Sequence, residues 1–404
     1  MLYEKKKDYL AFIIGLFAMV KVRYFGTFAV AELMVFALTP FVAWRFYKTN
    51  PSVRKLLWLA FLWLMGVIFS DYWNDSSLID SLKGAFNVIF VILLIPFTYW
   101  ILYDKPQRWL LYFCGFSISS LYNFYYQRAP EFDNDFVFQV WRVYAFYPLA
   151  VCLAGWLFYN RKKYLSYIII VGFGIWSLYN SSRNIFLSQS LAVVVLLYIN
   201  RLKNVNLQTK VLQYQKKIMQ LLVMLVAGFC VVVFVYESMA SSGALGERVH
   251  EKYLMQKYSR DGLISARGDA LQSIYAISKK PLVGYGSYAK DRYGIINKYN
   301  YRRDIVSDFN DDDLIPGHSY ILGAWVYSGI FGFCFFAYIL KFLLKSIKSG
   351  WMLYYGNFVG PWMYVMLMMI WDILFSPFSD RINLLFFIIS LMIAERMTKS
   401  SFVQ

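Results

Sequence analysis

The sequence predicts an all-α polytopic membrane protein, with about twelve transmembrane helices and a small helical cap on one side of the bilayer. Three observations predict it. The composition is too apolar for a soluble chain, apolar runs of spanning length follow one another, and basic residues gather in alternate connections.

Hydrophobic residues make up 59% of the 404 positions and charged residues 16%. A soluble domain is roughly half apolar and about a quarter charged. A chain this apolar has too few polar groups to cover a water-facing surface. The net charge of +17 does not indicate nucleic acid, because the basic residues sit in short clusters between apolar runs, as the positive-inside rule requires. Aromatics reach 21%, which suits belts at the membrane interface and, secondarily, sugar-stacking surfaces. The four cysteines, Cys114, Cys152, Cys230 and Cys334, each lie in an apolar run with no CxxC pair. They read as buried thiols, neither disulfides nor metal ligands. The first apolar run has no small-residue cleavage site and reads as a retained helix.

Runs of spanning length fall at 8–20, 26–45, 56–72, 84–103, 108–124, 141–159, 164–178, 184–200, 218–236, 319–344, 357–375 and 382–395. With the N-terminus inside, the inside segments hold 22 basic residues, from Lys5–Lys7 to Arg396 and Lys399, while the short outside loops hold six. Those outside loops also carry acids, Asp71, Asp75, Asp80 and Asp380 among them. The asymmetry places both termini on the cytoplasmic side.

Residues 237–317 form one outside segment of about 80 residues with 12 basic and 11 acidic side chains. A structureless loop of that length is unusual. Ser265 reads as an N-cap, and Ala270, Leu271, Ile274 and Ile277 form an apolar stripe. Pro281 stops the helix and Gly284-Tyr285-Gly286 makes a turn. The expected domains are therefore membrane helices over 1–236, the cap over 237–317, and membrane helices over 318–404.

Three residues stand out for chemistry. His318 lies in Ile315-Pro316-Gly317-His318-Ser319-Tyr320, where the break puts it at a helix start. A helix N-terminus disfavours imidazolium, which leaves a neutral ring able to act as a base. The other reading is an interfacial histidine that caps the helix. Arg183 is the sole charge in the short turn Asn180-Ser181-Ser182-Arg183-Asn184; it marks a site or snorkels to the headgroups. Arg267 opens the cap helix in Ser265-Ala266-Arg267-Gly268-Asp269, as a ligand or as a surface partner of Asp269. Two arginine forks bind a diphosphate and stabilise its charge as it leaves, and the histidine accepts a proton from an attacking hydroxyl. His250, among Glu247, Arg248, Glu251 and Lys252, reads as part of a solvated face. Asp311-Asp312-Asp313 reads as a solvated acidic turn rather than a cation site.

The stretch His318-Ser319, nine residues, Gly329-Ile330-Phe331-Gly332 resembles the signature of the bacterial O-antigen ligase and O-antigen polymerase family. In that family the histidine follows a large periplasmic loop. Arg183 in Ser-Ser-Arg matches its arginine in a short periplasmic turn, and Arg267 matches a second arginine upstream of Pro281-Leu282-Val283-Gly284-Tyr285-Gly286. The resemblance covers 175–335 in detail and the rest by topology. Phe333 stands where ligases carry Thr, Leu or Val, and Ser319 where Asn is commonest, so the branch stays open. The resemblance implies a GT-C type fold in the bacterial inner membrane, with the active site on the periplasmic side. It implies a metal-independent glycosyltransferase with no cofactor, moving a glycan from undecaprenyl diphosphate to an acceptor hydroxyl. His318 is then the base, and Arg183 and Arg267 hold the diphosphate. The acceptor is lipid A–core for a ligase, slightly favoured by the His–Gly spacing, or another lipid-linked repeat unit for a polymerase, with a chain-length regulator as a further partner. A lipid-linked glycan transporter is the alternative of another class. Against it, the two halves do not resemble each other, and charges inside the apolar runs are few, chiefly Glu32, Arg142 and Asp372.

Overall fold

The computed structural model describes residues 2–23, 27–42, 50–126, 135–180, 182–202, 207–244, 246–247, 250–251, 253–254, 268–291, 314–315, 317, 319–376 and 381–400. Its helices are α1 (Leu2–Leu16), α2 (Val30–Val42), α3 (Pro51–Trp73), α4 (Leu78–Leu102), α5 (Trp109–Tyr126), α6 (Asp135–Tyr159), α7 (Lys163–Tyr179) and α8 (Arg183–Arg201). They continue as α9 (Leu207–Ser241), α10 (Gly268–Lys279), α11 (Tyr320–Ser328), α12 (Ile330–Ser349), α13 (Val359–Phe375) and α14 (Arg381–Ser400). Among the described residues, six helical segments are long and apolar enough to cross a bilayer: Pro51–Trp73, Leu78–Leu102, Arg142–Tyr159, Asn184–Arg201, Ile330–Ser349 and Trp351–Phe375. The protein is a multi-pass helical membrane protein.

Three segments depart from the sequence reading. The run expected over 8–20 is α1, which starts at Leu2 and ends at Leu16. The chain then turns through an antiparallel ribbon, β1 (Lys21–Arg23) and β2 (Thr27–Ala29), with Val22 opposite Phe28. Hydropathy alone does not reveal a three-residue ribbon. The run expected over 319–344 is two helices, because Gly329 takes φ 61° and ψ −150° between them. In the cap helix α10, Gln272, Ser273, Ala276 and Ile277 are buried, while Ile274 of the expected stripe is exposed. Ala276 faces inward, and its carbonyl accepts from the Tyr285 hydroxyl at 2.9 Å. Ser265 lies outside the described residues.

Local signals explain the helix starts. Asn50 caps α3, accepting from Ser52 N at 2.9 Å and donating to Met392 O at 2.7 Å, and Pro51 fits the first helical position. Ser77 caps α4 through Asp80 N. Packing between α1 and α5 relies on two facing glycines. A Cβ on Gly15 would lie 2.0 Å from Tyr112 O, and one on Gly115 would lie 2.1 Å from Phe12 O. Small residues let membrane helices approach this closely, where lipid gives helices no hydrophobic drive to associate.

The bundle has two dissimilar ends. At one, Arg108 is buried and holds Asp8 at 2.5 Å and Asp104 at 2.6 Å, with Lys7 on Asp104 at 3.1 Å. At the other, the C-terminus of α3 meets the segment after α10, and Arg381 of α14 pairs with buried Glu32 of α2. Helix α13 lies between α6, α8, α11 and α12, with Trp362, Met363, Tyr364 and Met366 fully enclosed. Among the described cysteines, Cys114 and Cys152 are half-buried neighbours and Cys334 is exposed, all as free thiols. Full burial does not hold for them, because a membrane helix also presents apolar side chains to lipid.

Candidate functional site

The site is best built from its glycines. Ser319 caps α11: its Oγ accepts from Leu322 N at 3.2 Å and donates to Ile373 O of α13 at 3.0 Å. After nine intervening residues Gly329 ends the helix. A Cβ there would sit 1.9 Å from Leu282 O. At Gly332 a Cβ would sit 2.4 Å from Ser328 Oγ and 2.5 Å from Ala324 O. The Gly-x-x-Gly pattern is thus the requirement of a close crossing.

What crosses there is the second motif. Trp325 Nε1 donates to Pro281 O at 2.7 Å, and Ile330 N to Leu282 O at 3.2 Å. Tyr285 N reaches Val326 O at 2.7 Å, and Gly286 N reaches Tyr327 O at 3.1 Å. Gly284 and Gly286 both take positive φ. The Pro281–Gly286 segment is therefore fitted to the end of α11, and two motifs read separately from the sequence form one unit. On its other face the segment docks on α3. Ser287 N and Oγ donate to the Asp71 carboxylate at 2.5 and 2.8 Å, and Asn74 Nδ2 donates to Gly284 O at 3.2 Å. Lys280 Nζ reaches Asn74 Oδ1 at 2.7 Å. Asp71, expected as a loop acid, is buried at this joint.

The second wall is the turn between α7 and α8. Asn180 caps α7, donating to Trp176 O at 2.8 Å, and Ser182 N reaches Ser177 O at 2.8 Å. Helix α6 braces this turn from below. Arg142 Nη2 donates to Asn180 Oδ1 at 3.4 Å with its guanidinium 5.2 Å over the Trp176 ring, and Asn184 Nδ2 donates to Tyr144 Oη at 2.6 Å. Both features rest on α13, which packs against α8 and accepts from Ser319 Oγ at Ile373 O.

The sequence-predicted residues fall as follows. Arg183 is the first residue of α8; its side chain lies outside the described residues. His318 and Arg267 lie outside them too, though Gly317 and Ser319 on each side of His318 are described, as is Gly268, which opens α10. In the sequence Arg267 immediately precedes α10 and His318 stands two residues before α11, and α10 packs on α11. Helix N-termini carry about half a positive charge and unsatisfied N–H groups, which makes them ready anion sites. His250, expected on a solvated face, is half-buried beside exposed Glu247 and Glu251, with its Nδ1 2.9 Å from Ala240 O. Of the three charges inside apolar runs, Glu32 pairs with Arg381, Asp372 accepts from Ser376 Oγ at 2.8 Å, and Arg142 meets no carboxylate among the described residues. No cluster of three His, Cys, Asp or Glu side chains occurs among the described residues.

Compared with protein-family models and with curated proteins, the sequence matches none.

Proposed function

We propose that the protein is a glycosyltransferase of the O-antigen ligase or polymerase kind. In this reading it has twelve crossings, a GT-C type fold and both termini in the cytoplasm, and it works at the periplasmic face of the bacterial inner membrane. The observation that carries this reading is the fit of the Pro281–Gly286 segment into the glycine crossing at Gly329. It ties together the two motifs on which the resemblance rests. With it, Arg183 opens α8, and Arg267 and His318 precede α10 and α11 in the sequence by one and two residues, where positive helix ends would favour a diphosphate and a neutral imidazole.

The reaction is a displacement at the anomeric carbon. The acceptor oxygen forms its bond to that carbon as the carbon–oxygen bond to the lipid diphosphate breaks, with inversion. His318 takes the acceptor proton. Arg183 and Arg267 carry the charge that develops on the departing diphosphate, in place of a metal ion. The His–Gly spacing favours lipid A–core as acceptor over a second lipid-linked unit.

The experiment is glycan transfer from undecaprenyl diphosphate in reconstituted membranes, with each acceptor supplied in turn. His318→Ala is expected to lose about 100- to 10,000-fold in turnover. Arg183→Ala and Arg267→Ala lose most transfer, and lysine rescues poorly because a point charge does not reproduce the fork. Normal turnover in His318→Ala, or inhibition by EDTA reversed by magnesium or manganese, would overturn this mechanism.

A further inference from the structure

At the end of the bundle that holds Arg108, several basic side chains are answered by acids. Arg108 pairs with Asp8 and Asp104, Lys7 with Asp104, Lys105 with Asp8, and Lys345 and Lys399 with Glu395. The corner where α7, α8 and α9 meet at this same end differs. The sequence holds no acidic residue between Asp135 and Glu237. Yet Arg161 and Lys162 turn the chain into α7, Lys163 opens that helix, Arg201 ends α8, and Lys210 lies in the first turn of α9. Among the described residues Lys163 Nζ meets an amide oxygen, Asn200 Oδ1 at 3.4 Å, and the Phe158 ring at 5.7 Å, neither of which neutralises it. Burial lowers the pKa of the Lys210 ammonium, and the charge of Lys163 lowers it further. Two like charges therefore stand close enough to disfavour each other, and no described carboxylate lies with them.

An apolar groove of about 510 Å³ between α7 and α8 begins at this corner. Tyr164 and Tyr167 line its near end from α7, and Leu197 lines it from α8. Tyr164 directly follows Lys163 in the chain, and Leu197 stands one helical turn before Arg201. A hydrogen-bonded chain joins the groove to the charge: Asn200 Nδ2 donates to Tyr167 Oη at 2.6 Å, and Asn200 Oδ1 accepts from Lys163 Nζ at 3.4 Å. The groove continues past Gly172, where a Cβ would meet nothing within 4 Å, to Ile175 and Val193. From position 164 to 175 it follows about 16 Å of helix, at a rise of about 1.5 Å per residue. That is about half of the ~30 Å hydrocarbon core of a bilayer, the depth of one leaflet.

We propose that this corner binds one anionic phospholipid of the adjoining leaflet, which is cytoplasmic in the proposed orientation. Its phosphate sits between Lys163 of α7 and Lys210 of α9, and one acyl chain lies in the groove. Charge complementarity selects the occupant: a zwitterionic lipid leaves both ammoniums unanswered, and a soluble phosphate leaves the groove unused. The start of α7 adds to the headgroup site, because its N-cap Lys162 makes no side-chain cap bond and the first N–H groups of the helix have no intrahelical acceptor. The lipid also has a structural consequence. Helix α9 packs on the bundle near its start, where Tyr214 and Ile218 are buried and Gln215 Nε2 donates to Ser349 O at 2.7 Å. A phosphate held by Lys163 and Lys210 ties that start to α7. None of this rests on the transferase reading.

The test is titration of the purified full chain in detergent with phosphatidylglycerol, and with phosphatidylcholine of the same acyl chains, read by native mass spectrometry. One phosphatidylglycerol is expected to stay bound where phosphatidylcholine does not. Lys163→Gln and Lys210→Gln should each weaken it about fivefold, the effect of one basic residue facing an anionic headgroup. Lys6→Gln, an exposed lysine at the same end of the bundle, is the control for general surface charge and should change nothing. Gly172→Leu fills the groove while raising helix propensity, so it should weaken phosphatidylglycerol without unfolding the protein. Equal retention of the two lipids overturns the proposal, as does a loss in Lys6→Gln as large as that in Lys163→Gln. Unchanged binding in Gly172→Leu overturns the shared site, since the headgroup would then be held without the groove.

Discussion

Replacing Gly329 by alanine is the sharpest probe of the joined motifs. The backbone there, at φ 61° and ψ −150°, costs an L-residue about 1–3 kcal/mol. The new Cβ would also lie 1.9 Å from Leu282 O, 2.5 Å from Leu282 C and 2.8 Å from Val283 C, all backbone atoms of the docked segment. No rotamer change relieves such an overlap. The cheapest escape is for Pro281–Gly286 to leave. That breaks the bonds of Trp325 to Pro281, Ile330 to Leu282, Tyr285 to Val326 and Gly286 to Tyr327, at about 1 kcal/mol net each. About 4 kcal/mol of docking energy corresponds to about a thousandfold rise in the undocked population once it is lost. Amide exchange at Tyr285 and Gly286 measures it, with the exchange of α13 as internal reference. Gly172→Ala, at a position with open space, is the control and should exchange normally. Wild-type protection of Tyr285 and Gly286 in Gly329→Ala would falsify the claim that the crossing locks the cap.

Glu32→Gln leaves Arg381 facing a neutral group inside the bundle, which predicts a loss of about 3–5 kcal/mol, read as a lower thermal midpoint in detergent; an unchanged midpoint would mean the pair is solvated. Burial opposes ionisation of Asp104, but hydrogen bonds from Arg108 and Lys7 prevail and hold its carboxyl below the usual carboxylate range. A depressed folded-state value contributes stability above the unfolded value near 4 and loses it as pH falls through the folded value. Asp104→Asn should therefore flatten the stability profile below about pH 4, and a profile as steep as the parent's would remove Asp104 from the acid response. Cysteine placed at Asp75 should react with an impermeant maleimide from outside and cysteine at Lys162 should not; the reverse pattern refutes the proposed orientation.

The helical, membrane-crossing character was legible because apolar length needs no knowledge of neighbours. The glycine pair was legible for a related reason: glycines at fixed spacing record where backbones touch, and Gly329 and Gly332 touch Leu282 and Ala324. Partner identity was not legible. Asp71 follows an apolar run and reads as a loop acid, yet it takes two hydrogen bonds from Ser287, 216 residues away. The break at Gly329 escaped because hydropathy carries no information on the sign of φ. The inward face of α10 escaped because small Ala276, not the larger Ile274, lets Tyr285 approach.

A charge inside an apolar run is visible in the sequence, but whether it is structural or functional depends on what answers it. Glu32 is answered by Arg381 across two helices, and Asp372 takes a hydrogen bond from Ser376 a turn away. Both need nothing from outside the protein. Arg142 is answered by an amide oxygen and an aromatic face, neither of which neutralises it. It also stands near the positive end of α8, which raises the cost of its charge. Arg142 is half-buried without a carboxylate among the described residues, which sets it apart from the two paired charges. Position 183 stands one residue from Ser182 as the first of α8, and under the proposed function this turn is where the diphosphate would bind.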